Sequence, residues 1–110
     1  MKKLLGFILI MALCLATIAY AQKKTLVGTV SGFECGDNCY LTIVDKTGKE
    51  HQALCSDTLC EKMMESQDDP NLAGYKGKRV KVTISQGQQF DGAGNVMGTM
   101  DAFKKIQVME

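Results

Sequence analysis

The sequence has little of the chemistry that enzymes and metal centres use. It contains one histidine, His51, so it lacks the usual ligand set of a catalytic zinc ion. It also contains no nucleophile elbow, phosphate-binding loop, paired acidic motif or C-x-x-C motif. These absences leave no positive evidence for an enzyme, and we expect a chain that is not catalytic and binds no cofactor.

Residues 1–21 have the features of a secretory signal peptide. Lys2 and Lys3 precede an uncharged apolar run of 16 residues, 4–19, which ends in the small-x-small sequence Ala-Tyr-Ala. This run is shorter than the roughly 20 residues that span a membrane. We therefore predict a signal peptide over residues 1–21, which removes Cys14, and a single domain over residues 22–110 that is periplasmic or secreted.

The sequence also lacks an excess of charge of either sign. Without Lys2 and Lys3, 11 Lys and Arg residues face 12 Asp and Glu residues, a net charge of −1. Nucleic acids and anionic membranes attract proteins with an excess of basic residues. We therefore expect no nucleic-acid partner, and no membrane partner after signal cleavage. An unknown ligand or protein of the cell envelope is the expected partner.

Four cysteines remain in the predicted domain: Cys35, Cys39, Cys55 and Cys60. An even number in a small exported domain predicts disulfides, which such a domain needs because its core is small. The predicted strands place the four cysteines at one end of the sheet, with Cys39 opposite both Cys35 and Cys55. Local pairing (35 with 39, 55 with 60) and crossed pairing (39 with 55, 35 with 60) both satisfy the geometry. Local pairing is favoured because both segments are short turns.

Metal binding and thiol chemistry are the alternatives for these residues. The four cysteines could form a zinc site, although structural zinc pairs usually have two intervening residues and these have three and four. A thiol near a helix N-terminus, as predicted for Cys60, could be redox-active. Met97, Met100 and His51 could bind copper, although strand residues three apart face opposite sides.

Alternation of apolar and polar residues predicts strands at residues 25–33, 40–45 and 50–55. Further strands are predicted at residues 78–85 and 95–108, the last with a break near Asp101. A short helix is predicted between the third and fourth strands, ending near Gln67. Ser56 or Thr58 would cap this helix, with Glu61 completing a capping box. Residues 86–94 are polar and rich in glycine, which predicts a loop.

Five strands with a helix between the third and fourth is the order of the OB-fold, a partly open Greek-key barrel. A small β-sandwich is the second candidate. Residues 36–41 (GDNCYL) and 91–96 (DGAGNV) make the chain similar to small exported bacterial proteins of OB-fold type. The resemblance implies the fold and an exported setting, and it implies no activity.

OB-type barrels bind ligands across the second and third strands and the adjacent loops. This predicts a non-catalytic binding module that contacts its ligand through Tyr40, Thr42, His51 and Gln52, together with the loop of residues 86–95. An oligosaccharide, a peptide or an envelope protein would suit such a surface. A metal-handling or thiol-redox protein of the cell envelope is the alternative.

Overall fold

The computed structural model describes residues 24–109, so the predicted signal peptide lies outside the described residues. The elements, in chain order, are β1 (Lys24–Cys35), β2 (Cys39–Val44), β3 (Glu50–Cys55), helix α1 (Leu59–Glu65), a 3-10 turn (Leu72–Gly74), β4 (Arg79–Phe90) and β5 (Val96–Met109). No helix within residues 24–109 is both long and apolar enough to cross a membrane.

The five strands form a closed barrel in the order β1-β2-β3-β5-β4, with β4 pairing back onto β1. All neighbouring strands are antiparallel except β3 and β5, which run parallel. Helix α1 lies between β3 and β4 in the chain. This is the topology of the OB-fold, so the predicted fold class is confirmed and the β-sandwich alternative is excluded.

The core fills the barrel interior, where alternate residues of each strand point inward. Helix α1 contributes Cys60 and Met63 to this core, and Leu72 of the 3-10 turn is also buried. The inward strand residues are Val30, Leu41, Ile43, Ala53, Val80, Val82, Phe103 and Ile106. Because the helix supplies buried side chains from a segment that pairs with no strand, we infer that it covers one end of the barrel.

Strand β5 continues without the break predicted near Asp101, and that prediction is wrong. The ladder with β4 is irregular at two other places, where Met97 and Lys104 are left without partners. A bulge shifts the alternation by one residue. The bulge at Lys104 therefore allows Phe103 and Ile106, which are three residues apart, both to point into the core.

Beyond the barrel, β4 and β5 pair as a two-stranded ribbon, residues 86–101, which we call the β4–β5 arm. The predicted loop over residues 86–94 is wrong for residues 86–90, which belong to β4; the turn is limited to residues 91–95. Gly87 is buried, and a Cβ atom there would lie 2.7 Å from the Ala102 Cβ. Close strand contact, and not a turn, explains this glycine.

Helix α1 begins differently from the prediction. Thr58 occupies the N-cap position, but its side chain makes no capping hydrogen bond. One carboxylate oxygen of Asp57 instead accepts a 2.9 Å hydrogen bond from the backbone N–H two residues later. The other oxygen accepts one of 3.0 Å from the N–H of Ile106 on β5. The predicted capping by Ser56 or Thr58 with Glu61 is wrong, because the side chain that accepts a hydrogen bond from the first turn is that of Asp57.

Candidate ligand-binding face

The outer surface of β2 and β3 carries three of the four predicted ligand contacts. Thr42 and Gln52 are direct cross-strand partners and therefore share a face. Tyr40 lies two residues before Thr42 and points to the same side. His51 pairs with Ile43, which is fully buried in the core, so His51 belongs to the inner face. We call Tyr40, Thr42 and Gln52 the β2–β3 face.

His51 lies at the edge of the barrel interior, where it contacts Asp45. Its Nε2 atom is 2.8 Å from the Asp45 Oδ2 atom. Asp45 also accepts hydrogen bonds from the Thr47 hydroxyl and from the backbone N–H groups of Thr47 and Lys49. The Thr47 hydroxyl, the His51 ring and these N–H groups hold the pKa of Asp45 well below its usual range. The pair stabilises the β2–β3 hairpin turn.

The β4–β5 arm folds back onto the β2–β3 face. The Gln89 Nε2 atom donates a 3.0 Å hydrogen bond to the Tyr40 hydroxyl. Asn38, in the β1–β2 turn, makes two bonds to Phe90: its Nδ2 donates to the carbonyl at 2.8 Å, and its Oδ1 accepts from the N–H at 2.9 Å. The turn between β1 and β2 and the turn between β4 and β5 are thereby brought together beside the face.

These contacts border a cleft of ≈ 410 Å³. Its lining residues are Asp37, Asn38, Tyr40, Gln89, Phe90 and Met97. Phe90 is 39% exposed, Met97 71% and the neighbouring Val96 55%. Aromatic and thioether surface beside side-chain amides can contact a ligand through both apolar packing and hydrogen bonds. The arrangement is suited to binding.

The four cysteines form two local disulfides, Cys35–Cys39 and Cys55–Cys60. Cys35 and Cys39 are direct partners in the β1–β2 ladder, as predicted, and their bond closes the turn that holds Asn38. Cys55–Cys60 joins the end of β3 to helix α1. Cys39, Cys55 and Cys60 line one cleft, so the predicted gathering of sulfur atoms at one end is observed.

The disulfides bear on the metal and redox alternatives. All four cysteines are oxidised, and a disulfide sulfur is neither a thiolate ligand nor a nucleophile. Across residues 24–109 no three His, Cys, Asp or Glu side chains are grouped so that they could hold a metal ion. His51 and Met97 line different clefts, so the predicted copper ligands are not brought together.

The roles of two residues were not predicted from the sequence. Asn38 holds the β4–β5 arm, and Asp45 holds His51 and the β2–β3 turn. Asn38 appears in the sequence only as a turn residue, and its bonds to Phe90 join segments 52 residues apart, which no local pattern reveals. Asp45 had a visible signal, because an Asp two residues before Thr at a hairpin turn is typical of side-chain-to-backbone capping.

No protein-family model matches the chain, and no curated protein has a significant sequence match to it. A solved structure that is similar to it is the crystal structure of the mitochondrial single-stranded DNA-binding protein from S. cerevisiae. The two chains are 18% identical, with a TM-score of 0.47, over 81% of this chain and 94% of the other.

This comparison corrects the predicted exclusion of nucleic acid as a partner, because the similar chain is named a single-stranded DNA-binding protein. The exclusion depends on net charge, which sums over the whole chain and ignores how charge is distributed over one face. Nucleic acid therefore has to be among the ligand classes that are tested experimentally.

Proposed function

We propose that this chain is an exported, non-catalytic binding module whose ligand lies across the β2–β3 face and beneath the β4–β5 arm. The observation that carries the proposal is the folding of the arm onto the face, through Gln89 on Tyr40 and Asn38 on Phe90. The two disulfides and the predicted signal peptide support an oxidising, extracytoplasmic setting.

The chemistry of the cleft supports binding over catalysis. Its lining consists of amide, phenol, thioether and aromatic groups with a single carboxylate, that of Asp37. A general acid–base mechanism needs a titratable group held against a second functional group. The one His–Asp pair, His51 with Asp45, belongs to the inner face and is not part of this cleft.

The arm also suits a binding role because its attachment is weak. Hydrogen bonds of this kind each contribute about 1 kcal/mol, and Phe90, Val96 and Met97 remain exposed while they hold. A ligand that covers these three side chains removes apolar surface from water, which is favourable. We therefore expect the arm to close further over a bound ligand.

The experiment is a titration of the isotope-labelled domain, residues 22–110, followed through its backbone amide resonances. Three probes represent the ligand classes: maltohexaose, a pool of random synthetic peptides and single-stranded oligothymidine. We expect at least one probe to shift the amides of Tyr40, Thr42 and Gln89 together. Tyr40→Ala should weaken that binding by about tenfold, which corresponds to the loss of about 1.4 kcal/mol.

Gln88→Ala is the matched control. Gln88 lies on the same strand as Gln89, is exposed and points to the opposite side of the arm. It should leave the affinity unchanged. The proposal is wrong if none of the three probes binds, or if the shifted amides lie elsewhere on the barrel.

A further inference from the structure

The barrel has one weak seam, between β3 and β5. These strands pair only at Leu54 with Ala102 and at Cys55 with Phe103, whereas β4 and β5 pair along almost their whole length. Residues 50–53 of β3 consequently have β2 on one side and, among residues 24–109, no strand on the other. Among the described residues, residues 50–53 of β3 therefore form a free sheet edge in the barrel wall.

The hairpin geometry identifies which backbone groups face this free edge. The Asp45 N–H donates to the Lys49 carbonyl at 3.0 Å, so residues 45 and 49 form a hydrogen-bonded pair. Hydrogen-bonded and non-hydrogen-bonded pairs alternate along an antiparallel ladder. His51 and Ala53 therefore direct their N–H and C=O groups at β2. Glu50 and Gln52 direct theirs away from β2, into the seam.

The other side of the seam is also free. Val96 and residues 98–101 of β5 pair with β4 and have no second strand partner within the described part of the chain. A cleft of ≈ 390 Å³ lies at this end of the seam. Its lining residues are His51 of β3, Gln86 and Asp101 where the arm leaves the barrel, Lys24, Thr25 and Leu26 of β1, and Ile84 and Ser85 of β4. Gln86 and Asp101 are the first and last residues of the arm, and Gln86 donates a 3.1 Å hydrogen bond to Asp101. This bond holds the start of the arm beside the cleft.

We propose that the ligand is an extended peptide, which adds as a strand along β3 and pairs with the backbone groups of Glu50 and Gln52. This inference rests on the proposed function and names its ligand class. The free groups of Glu50 and Gln52 recur every roughly 6.7 Å, twice the rise per residue of a strand, and another extended backbone has the same repeat. Maltohexaose and oligothymidine do not present alternating N–H and C=O groups at this spacing.

The composition of the edge supports the same assignment. Natural proteins protect free edges with proline, with charged side chains, lysine above all, or with a bulge. The segment Glu50–Cys55 contains neither Pro nor Lys, and its register with β2 is continuous from Val44 to Tyr40. Glu50, next to the hairpin turn, is its one carboxylate. Apart from Glu50, the segment lacks these protective features, so its backbone can accept an added strand.

The test uses the domain over residues 22–110 and a short synthetic peptide selected from a random library. Gln52→Pro is compared with Gln52→Ala. Both variants lack the amide side chain, and only the proline variant lacks the backbone N–H that faces the seam. Because β2 does not use this N–H, Gln52→Pro should still fold, as proline is accepted at sheet edges. We expect Gln52→Pro to bind the peptide at least about tenfold more weakly than Gln52→Ala.

Hydrogen exchange provides a second measurement that needs no variant. In the free protein the amides of Glu50 and Gln52 should exchange fast and those of His51 and Ala53 slowly. Bound peptide should slow the exchange at Glu50 and Gln52.

Peptide binding without this protection, or equal affinities of the two Gln52 variants, would overturn the strand-addition inference and leave the proposed function intact. Binding of maltohexaose or oligothymidine at the β2–β3 face, with no peptide binding, would also overturn the strand-addition inference and leave the proposed function intact. Failure of all the probes to bind would overturn both proposals.

Discussion

The barrel and the β4–β5 arm are built from the same two strands, yet different interactions hold them. In the barrel, Val80 and Val82 of β4 are fully buried, and Ile106 of β5 is nearly so. In the arm, Val96 and Met97 are mostly exposed although the strands remain paired. Strand pairing thus continues from the barrel into the arm, whereas the packed core ends where the arm begins.

This difference separates the residues that stabilise the fold from the residues of the proposed binding site. The barrel contains the buried side chains on which folding depends, so changes there act on the whole molecule. The arm is attached to the rest of the chain through a few hydrogen bonds, chiefly those of Asn38 and Gln89, so changes there act locally. In the proposed function, the part of the molecule that adapts to the ligand is therefore the part that contributes least to the core.

The largest difference between the two regions should appear when an apolar side chain is shortened in each. Phe103 is 1% exposed and Val96 is 55% exposed, and both lie on β5. Phe103→Ala should lower the free energy of unfolding by about 3–5 kcal/mol, because it leaves a cavity. Val96→Ala should change it by less than about 0.5 kcal/mol. Urea denaturation measures both changes. Similar losses of unfolding free energy in the two variants would contradict the view that the barrel, and not the arm, determines stability.

The disulfides provide a smaller and more local comparison. Removing either bond, with both of its cysteines changed to serine, should cost about 2 kcal/mol, as expected for a short closed loop. Only the Cys35→Ser, Cys39→Ser variant should also speed hydrogen exchange at Phe90, because that bond closes the turn holding Asn38. The Cys55→Ser, Cys60→Ser variant is the matched control. Equal exchange at Phe90 in both variants would show that the turn does not hold the arm.

Asn38 tests the attachment of the arm directly. Asn38→Ala removes both bonds to Phe90 and should cost about 1 kcal/mol or less, because the site is exposed. Asn38→Asp keeps an acceptor for the Phe90 N–H and replaces the donor with a carboxylate oxygen, which also adds a negative charge. Exchange at the Phe90 amide should therefore be faster in Asn38→Ala than in Asn38→Asp. The opposite order would show that another contact holds the arm in place.

Sequence reasoning succeeded where a local pattern determines the structure. The short β2–β3 turn fixes the register, so Tyr40 faces Leu54 and the cysteines gather at one end. Alternation at Val80 and Val82 predicts the strand because one face is buried. Residues 86–90 have no such face, and pairing with β5 makes them a strand even though they are polar and contain Gly87.

The candidate site was predicted less completely because its face and its contacts depend on the tertiary structure. His51 was predicted beside Gln52 on the ligand face, although adjacent strand residues point to opposite sides and His51 is directed inward. The roles of Asp57 and Asn38 depend on bonds to Ile106 and Phe90, far away in the chain. No residue pattern near either one indicates these partners.

The smallest expected effect concerns acid sensitivity, to which the hairpin turn contributes through Asp45. Hydrogen bonds from the Thr47 hydroxyl and the His51 ring are the largest causes of its lowered pKa. The folded state thus binds this proton less readily than the unfolded state does, in which the pKa is about 3.9. The resulting stabilisation is complete above that value and is lost as the pH falls towards the folded pKa. Asp91, whose pKa the Asn95 N–H lowers, acts with the same sign.

Asp45→Asn keeps an oxygen for the Thr47 bond and removes the charge, so the free energy of unfolding should fall less steeply below about pH 4. Urea midpoints measured between about pH 2 and about pH 6 give this slope. Asp68→Asn, at an exposed position after helix α1, is the control and should keep the slope of the unmodified chain. If Asp45→Asn has the same slope as the unmodified chain, folding does not lower the pKa of Asp45. The ionised side chain would then not contribute to the stability of the turn, which would be held by its backbone hydrogen bonds alone.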